Sequence, residues 1–349
     1  MTSPVPELRT DWLTGRTVLV AEHRANRPND FERLADKPPL VGNAVAGKAV
    51  ASCPFCFGNE SRTPAPVYEQ RNDQGAWQVR VVPNLFAAID ANVPIEIDPL
   101  DDVAAGSTRA IPAAGVHEVV IECPAHLDRL SYLSVNELAG VLQAFAHRLR
   151  HWRGCGKYRY GLVFKNQGPR AGASIAHLHS QLVALPFVPA AVAAEQQRAA
   201  EFYAREQRCP YCDLVARERA AGDRIVCERD GFLVFCPFAS LQPGETWLIP
   251  TEHARSFESV TADELGRLAG VLHSLVGRLE SMIPSAAYNL IVRTAPWVGG
   301  LGESSHWRIE LLPRVTSLAG LELATSVYIN QLAPEHAAAK LRSADAGVV

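Results

Sequence analysis

Two segments of the chain carry apolar residues at helical spacing, and each follows a capping-box pattern. The apolar stripe after Ser134-x-x-Glu137 consists of Leu138, Val141, Leu142, Phe145 and Leu149. The stripe after Thr261-x-x-Glu264 consists of Leu265, Leu268, Leu272, Leu275 and Leu279. In a capping box the hydroxyl and the carboxylate bind free amides at the start of a helix. The pattern therefore predicts two amphipathic helices, each with one buried face.

The segments around these helices also occur twice. A β-rich run ending in a proline-containing turn and a histidine precedes each helix, and two β-rich runs follow it. These runs are 118–126, 160–164 and 176–185 in the first copy and 245–253, 288–292 and 306–312 in the second. The repeat predicts a duplicated unit of the α+β class, with antiparallel strands and helices packed on one face. We place the copies at 1–190 and 191–349, joined by a helix predicted over 188–206.

The composition is that of a globular protein, with 48% hydrophobic and 20% charged residues among 349. A net charge of −3 gives no reason to expect a nucleic acid or an anionic membrane as a partner. Residues 1–12 lack the apolar run of a signal peptide, and no uncharged run of about 18 residues occurs elsewhere. A cytoplasmic location is therefore expected.

Four of the eight cysteines form two Cys-x-x-Cys pairs, which in a chain of this length favours metal binding over disulfides. A structural zinc (Zn²⁺) site takes four ligands, and the duplication supplies two matched histidines for each pair. The predicted ligand sets are Cys53, Cys56, His126 and His177 in the first copy and Cys209, Cys212, His253 and His306 in the second. The alternatives are redox pairs, buried thiols, or histidines that serve only the core or a helix cap.

Residues 176–185, Ala-His-Leu-His-Ser-Gln-Leu-Val-Ala-Leu, predict a strand with His177, His179 and Gln181 on one face. If His177 binds metal, His179 remains free, and a neutral imidazole is a competent nucleophile toward an activated phosphorus. Attack on the α-phosphorus of a nucleoside diphosphate sugar would give a nucleotidyl-histidine. Gln181 can donate to a phosphoryl oxygen but cannot take a proton from water, which favours transfer over hydrolysis. The alternative is an ordinary half-polar strand with metal ligands.

The loop before this strand, 166–174, contains two glycines and predicts a phosphate-binding loop, although a simple hairpin connection has the same composition. The second copy serves as an internal control, because Arg308 and Glu310 stand where His179 and Gln181 stand in the first. We interpret Arg308 and Glu310 as a salt-bridged face, with a substrate contact as the alternative.

Several motifs spread over nearly the whole chain point to one family. They are His23-Arg24-Ala-Asn-Arg27-Pro28, the Cys53 knuckle, Val82-Pro83-Asn84-Leu-Phe86-Ala, Pro124-Ala-His126, Asn166 through Ser174, His177-Leu-His179-Ser-Gln181 and His306-Trp-Arg-Ile-Glu310-Leu-Leu-Pro313-Arg314. Together they resemble the galactose-1-phosphate uridylyltransferases of the histidine-triad superfamily.

The resemblance implies that His179 carries the nucleotide, that Gln181 binds its phosphate and that both zinc sites are structural. It places a further set of residues near the nucleotide and the phosphates, namely Arg24, Arg27, Asn84, Asn166, Gly172 and Ser174. It also implies a nucleoside diphosphate sugar and a hexose 1-phosphate as substrates, and a homodimer with the site near the subunit interface.

The chain departs from most uridylyltransferases at Leu178, where they have proline. This segment and the Cys209 and Cys212 pair look closer to a branch that includes plant enzymes moving AMP from ADP-glucose to phosphate. We expect a ping-pong nucleotidyltransferase of galactose metabolism that exchanges UMP between UDP-glucose and galactose 1-phosphate. The alternative with the same chemistry is an ADP-glucose phosphorylase or adenylyltransferase.

Two other functions fit the sequence less well. A zinc-knuckle interaction module for RNA or protein would carry basic, aromatic-rich surfaces, and the chain has no Lys/Arg clusters. A histidine-triad hydrolase would have a third histidine where Gln181 stands.

Overall fold

The computed structural model of the protein describes residues 6–26, 50–95, 110–298 and 302–344. The strands are β1 Glu7–Thr10, β2 Thr17–Val20, β3 Tyr68–Arg71, β4 Trp77–Pro83, β5 Val116–Ile121, β6 Tyr160–Gln167, β7 His179–Leu185, β8 Ile225–Arg229, β9 Phe232–Phe235, β10 Thr246–Pro250, β11 Tyr288–Arg293, β12 Arg308–Pro313 and β13 Val327–Asn330. The helices are α1 Val135–Gly154, α2 Ala190–Glu206, α3 Pro210–Ala221, α4 Ala262–Met282, α5 Gly320–Thr325 and α6 Pro334–Ser343. Among these described helices, none is both long and apolar enough to cross a bilayer.

Ten strands form one antiparallel sheet in the order β3-β4-β5-β7-β6-β11-β12-β10-β9-β8. The first five positions are repeated in reverse by the last five, as a two-fold axis between β6 and β11 would produce. Within this seam, the boundary between β6 and β11, Phe164 lies opposite Ile291. The sheet therefore runs without a break from the first copy of the unit into the second, and the predicted α+β class is confirmed.

The two repeated helices form as the sequence predicts. Ser134 and Thr261 cap α1 and α4 through complete capping boxes. All the predicted stripe residues of both helices are buried, and the helices pack side by side on one face of the sheet. The linking helix α2 also forms within its predicted range. Together with α3 it packs on the opposite face of the second copy, where Tyr211 and Leu214 contact a core that includes Trp247.

The first strands of the chain lie on the second copy. β2 pairs antiparallel with β1 and parallel with β13 in a separate three-stranded sheet. Val18 and Val20 pack there against Ala239 and Ala333. The turn between β1 and β2 therefore brings Arg16 to the second copy, although 229 positions separate it from the nearest carboxylate it binds, that of Glu245.

Within the strands, the predicted alignment of the two copies is wrong by one residue. In the first copy Val119 of β5 is opposite Gln181. In the second copy Trp247 of β10 is opposite Glu310, although the predicted alignment matches Val119 with the residue before Trp247. A shift of one residue along a strand moves each side chain to the other face of the sheet.

The ion pairs of the two copies show the effect of this shift. Glu118 faces α1 and pairs with Arg148 at 2.6 Å. Glu245, with which the sequence aligned it, faces the opposite side and pairs with Arg16 at 2.8 Å. The structural counterpart of Glu245 is therefore His117, the neighbour of Glu118.

Candidate active site

A cavity of about 430 Å³ opens where β4, β5 and β7 of the first copy meet the Cys53 knuckle. Four of the predicted site residues line it: Asn84, Ser174, His179 and Gln181. Its other walls include Phe55, Arg62, Phe86 and His117. No carboxylate belongs to the described residues that line this cavity, so an anionic ligand meets no fixed negative charge there.

His179 is held with one ring nitrogen available to the cavity. The imidazole is 8% exposed, and its Nδ1 lies 2.8 Å from the carbonyl oxygen of His177. Because a carbonyl oxygen can only accept, Nδ1 carries the proton and Nε2 keeps its lone pair. Burial and the nearby Lys165 ammonium lower the pKa of His179, which keeps the ring neutral. The side chain therefore has the protonation state of a nucleophile.

A buried ion pair that the sequence analysis missed lies behind the histidine strand. The Nζ atom of Lys165 donates to the carbonyl oxygen of His179 at 3.0 Å and to the Glu122 carboxylate at 2.8 Å. Ser180 donates to the same carboxylate. The exposed fractions are 2% for Lys165 and 1% for Glu122. A lysine directly after the apolar residues 161–164 of β6 was the signal available in the sequence.

His117 is the second residue that the sequence analysis missed. Its Nε2 lies 2.7 Å from Oε1 of Gln181 and 3.0 Å from Nδ2 of Asn84. The backbone N–H of Ala88 donates to its Nδ1 at 3.2 Å. The imidazole thus joins two predicted ligand-binding amides with the segment that carries Phe86 at the cavity mouth.

Hydrogen bonds from the second copy of the unit hold the predicted phosphate-binding loop in place. Asn289 of β11 donates from Nδ2 to Oδ1 of Asn166 at 2.8 Å and to the Ala171 carbonyl oxygen at 2.9 Å. The backbone at Gly172 is left-handed, with φ of 91°, which favours glycine. Of the predicted loop residues only Ser174 lines the cavity, whereas Asn166 and Gly172 shape the loop behind it.

Of the two predicted arginines, only Arg24 belongs to the described residues, and it does not line this cavity. Arg24 lies in the 3-10 turn Glu22–Asn26 and is not among the lining residues. Its Nε is buried and has no hydrogen-bond partner among the described residues. Arg27 lies outside the described residues.

The first predicted ligand set comes together as a compact cluster. The ligand atoms of Cys53, Cys56, His126 and His177 all lie within 4.8 Å of one another. Sγ to Nδ1 distances are 3.3 Å for Cys56 to His126 and 3.6 Å for either cysteine to His177. Tetrahedral zinc with Zn–S of about 2.3 Å and Zn–N of about 2.0 Å has an S···N edge of about 3.5 Å. The donors therefore fit a tetrahedral metal ion.

Contacts around His177 suit a metal ligand. Its Nε2 donates to the Cys123 carbonyl oxygen at 2.8 Å, so Nδ1 presents a lone pair to the cysteines. Burial lowers the pKa of His177 to about 4 and keeps the ring neutral. The prediction that His177 lies within the strand is wrong, because β7 begins at His179 and the chain bends just before it. This bend turns His177 toward the cysteines and its carbonyl toward His179.

The second ligand set is similar in arrangement but less enclosed. The ligand atoms of Cys209, Cys212, His253 and His306 also lie within 4.8 Å of one another. Sγ to Nδ1 distances range from 3.7 Å, for Cys212 to either histidine, to 4.0 Å for Cys209 to His306. His253 is exposed, whereas all four residues of the first cluster are buried.

In the second copy, charged residues stand at the positions that correspond to the cavity-lining His117, His179 and Gln181 of the first copy. Arg308 lies 2.6 Å from Glu310 and 2.8 Å from Glu195 of α2. Arg16 lies 2.8 Å from Glu245 and 3.0 Å from Glu310. Arg308, Glu310 and Glu245 are at most 1% exposed. The interpretation of Arg308 and Glu310 as a salt-bridged pair is confirmed.

These arginines keep the central carboxylate ionised. Burial favours the neutral acid, but Arg293, Arg16 and Arg308 together hold the pKa of Glu310 well below its usual range. Glu310 is therefore ionised at the centre of the ion cluster of the second copy, which consists of Arg16, Glu195, Glu245, Arg293, Arg308 and Glu310.

Comparisons with known proteins agree with this geometry. Residues 2–189 match the family model described as galactose-1-phosphate uridyl transferase, N-terminal domain. Residues 131–344 match a domain of unknown function, DUF4921. The chain is 30% identical to ADP-glucose phosphorylase of Arabidopsis thaliana, covering 97% of this chain and 92% of the relative. It is 27% identical to galactose-1-phosphate uridylyltransferase of Schizosaccharomyces pombe, covering 95% and 93%.

Solved structures give the same result. The crystal structure of an ADP-glucose phosphorylase from Arabidopsis thaliana with bound ADP-glucose matches with a TM-score of 0.82 and 29% identity, covering 98% of this chain and 99% of that one. A uridylyltransferase structure matches with a TM-score of 0.71 and 27% identity, covering 97% and 98%.

Proposed function

The chain belongs to the galactose-1-phosphate uridylyltransferase family of nucleotidyltransferases, and on that premise we propose that it transfers a nucleoside monophosphate through a covalent intermediate on His179. The observation that carries this proposal is the hydrogen bond from Nδ1 of His179 to the His177 carbonyl oxygen. It leaves Nε2 unprotonated in a cavity large enough for part of a nucleoside diphosphate sugar.

In the first step, Nε2 of His179 attacks the α-phosphorus of the donor. The P–N bond forms while the P–O bond to the sugar phosphate breaks, and the sugar 1-phosphate leaves with the bonding electron pair. The ring then carries positive charge, which the His177 carbonyl stabilises at the Nδ1 proton. In the second step an oxygen of the acceptor phosphate attacks the same phosphorus, and Nε2 leaves with its lone pair.

The lining of the cavity favours transfer over hydrolysis. Gln181 offers amide protons to a phosphoryl oxygen but cannot serve as a base toward water. The described lining also contains no carboxylate for that role. The apolar side chains of Leu85 and Phe86 at the mouth, 68% and 88% exposed, offer surface on which a base can stack.

Two nucleotide sugars, ADP-glucose and UDP-glucose, are candidate donors of the nucleotide, and different comparisons favour each. Identity and structural similarity are higher to the ADP-glucose phosphorylase than to the uridylyltransferases. Leu178 and the Cys209 and Cys212 pair support the same branch. We therefore place ADP-glucose with phosphate as acceptor first, which reverses the order proposed from the sequence. The description of the matching family model favours UDP-glucose with galactose 1-phosphate.

We also propose that both cysteine-histidine clusters bind zinc as structural ions. The Cys-His donor sets and their S···N separations support this assignment, and four protein ligands leave no coordination position for substrate. The ion would hold the Cys53 knuckle and the bend at His177 in place. The protein residues alone perform the transfer.

Intact-mass spectrometry after a brief reaction tests the mechanism and identifies the donor. The protein is incubated separately with ADP-glucose and with UDP-glucose and quenched at high pH, where a phosphorus–nitrogen bond to histidine survives. A mass gain of AMP that disappears on adding phosphate supports the phosphorylase. A gain of UMP that disappears on adding galactose 1-phosphate supports the uridylyltransferase. Turnover of either donor without any mass gain would overturn the covalent mechanism.

A further inference from the structure

His117 stands between two amides that face the cavity, and its hydrogen bonds decide how one of them is oriented. A glutamine side chain has one oxygen that only accepts and one nitrogen that only donates. Gln181 can bind a phosphoryl oxygen only if its nitrogen, rather than its oxygen, faces the ligand. Nothing in the glutamine itself selects between these two orientations.

The backbone at Ala88 fixes the protonation of His117. Its N–H donates to Nδ1 of the ring at 3.2 Å. Nδ1 must therefore carry a lone pair, which excludes both the doubly protonated ring and the tautomer with a proton on Nδ1. The proton of the neutral ring is on Nε2.

Nε2 of His117 can then only donate, and its acceptor among the described residues is Oε1 of Gln181 at 2.7 Å. The Asn84 nitrogen Nδ2 also lies 3.0 Å from Nε2, but it is itself a donor, because the Phe86 N–H donates to Oδ1 of Asn84 at 2.9 Å; this contact is therefore not a hydrogen bond and does not compete with Gln181. With Oε1 of Gln181 bound to His117, both amide protons of Gln181 remain for a ligand.

We propose that His117 is a positioning residue that holds the Gln181 amide with its N–H groups toward the phosphate, an inference that rests on the proposed nucleotidyl transfer. The second copy of the unit supports it. There Glu245 stands at the position of His117 and Glu310 at that of Gln181. A carboxylate has two equivalent oxygens and needs no donor to orient it, and in that copy the histidine is absent together with the glutamine.

The test is a double-mutant cycle on formation of the nucleotidyl-enzyme, measured in single turnover with the donor that labels the wild-type protein. His117→Leu removes the donor, and we expect the rate to fall by about 10- to 100-fold, less than the ~10²- to 10³-fold typical of removing an entire oxyanion donor. The apparent affinity for the nucleotide sugar should change by less than about threefold, because the orientation matters most when charge develops on the phosphoryl oxygens.

Two further variants separate positioning from a structural role. In a Gln181→Ala background, His117→Leu should cause no further loss, because it acts only through the missing amide. His117→Gln places a donor where Nε2 was and should recover most of the rate. Thermal unfolding of all variants reports any general loss of stability.

Equal losses from His117→Leu in the wild-type and Gln181→Ala backgrounds would overturn the positioning role. So would an unchanged rate in the single variant. A wild-type protein that turns over both donors without ever gaining a nucleotide would overturn the proposed mechanism itself, and with it the role of His117.

Discussion

The two copies of the repeated unit share strands, a long capped helix and a cysteine-histidine cluster, but they differ at the three positions that face away from the helices near the sheet centre. In the first copy these are His117, His179 and Gln181, all lining an open cavity. In the second they are Glu245, Arg308 and Glu310, all at most 1% exposed.

This contrast shows how one scaffold can support either chemistry or packing. Arg16 from the β1–β2 turn and Glu195 from α2 pair with the residues of the second copy that correspond to the cavity-lining residues of the first. Uncompensated charges would be too costly to bury there. The second copy combines arginines and glutamates, so that the region is filled and each charge has a partner. The first copy leaves neutral polar groups facing an open space.

The largest expected effect is the loss of transfer in His179→Ala. Removing the nucleophile should abolish nucleotidyl-enzyme formation and lower the transfer rate by at least about 10⁴-fold. The melting temperature should change little, because the ring faces the cavity. The exposed His336 provides a control, since His336→Ala should retain full labelling. A His179→Ala protein that still gains nucleotide would move the nucleophile elsewhere.

Removing one metal site in each copy should separate structure from chemistry. Metal analysis of the purified protein should give two zinc ions per chain, falling to one in Cys53→Ala and in Cys209→Ala, with a lower melting temperature in both. Only Cys53→Ala should also slow transfer, by about 10-fold or more, because His177 shares that site and its carbonyl orients His179. A larger loss of transfer in Cys209→Ala would break the proposed division between the copies.

The ion cluster of the second copy should matter for stability alone. Arg308→Met leaves Glu310 and Glu195 without their shared partner and should lower the free energy of unfolding by about 3–5 kcal/mol. Arg205→Met, at an exposed pair with Glu206, should cost less than about 1 kcal/mol. Chemical denaturation measures both. An Arg308→Met protein with normal stability and no labelling would show that the second copy takes part in catalysis.

The smallest effect concerns the shared scaffold. Ser134→Ala and Thr261→Ala each remove a complete capping box and should each cost about 1 kcal/mol of stability without changing transfer. Similar losses in urea denaturation would indicate that the copies are equivalent as scaffolds. A large loss in only one of them would show that the two helices contribute unequally.

The local patterns of the sequence were sufficient to predict α1, α2 and α4 and the two cysteine-histidine clusters. Capping boxes and apolar stripes depend on residues a few positions apart, and the duplication matched each cysteine pair with its histidines. The strand alignment was less reliable, because the spacing between Glu245 and His253 includes a turn as well as a strand. A difference of one residue in the length of this segment between the two copies was enough to put Glu118 and Glu245 on opposite faces of the sheet.

The missed residues depend on contacts between distant segments. His117 acquires a role only because Gln181 and the backbone of Ala88 lie beside it. Lys165 is buried against Glu122, which follows β5 directly and lies 43 positions away in sequence. Arg16 reaches a site built almost entirely from the second copy. Sequence spacing carries no information on such contacts, which arise from the order of strands in the sheet.

The seam between β6 and β11 limits how the protein can be divided. A gene truncated after residue 190 would encode a product in which residues 163–167 of β6 lose their partner strand β11 and become an exposed sheet edge. Such an edge is a template for self-association. The same product would lose Asn289 and with it the two hydrogen bonds that fasten the loop beside the cavity. We therefore expect the half that carries the proposed nucleophile to need the second half of the chain, which covers its open sheet edge and holds this loop in place.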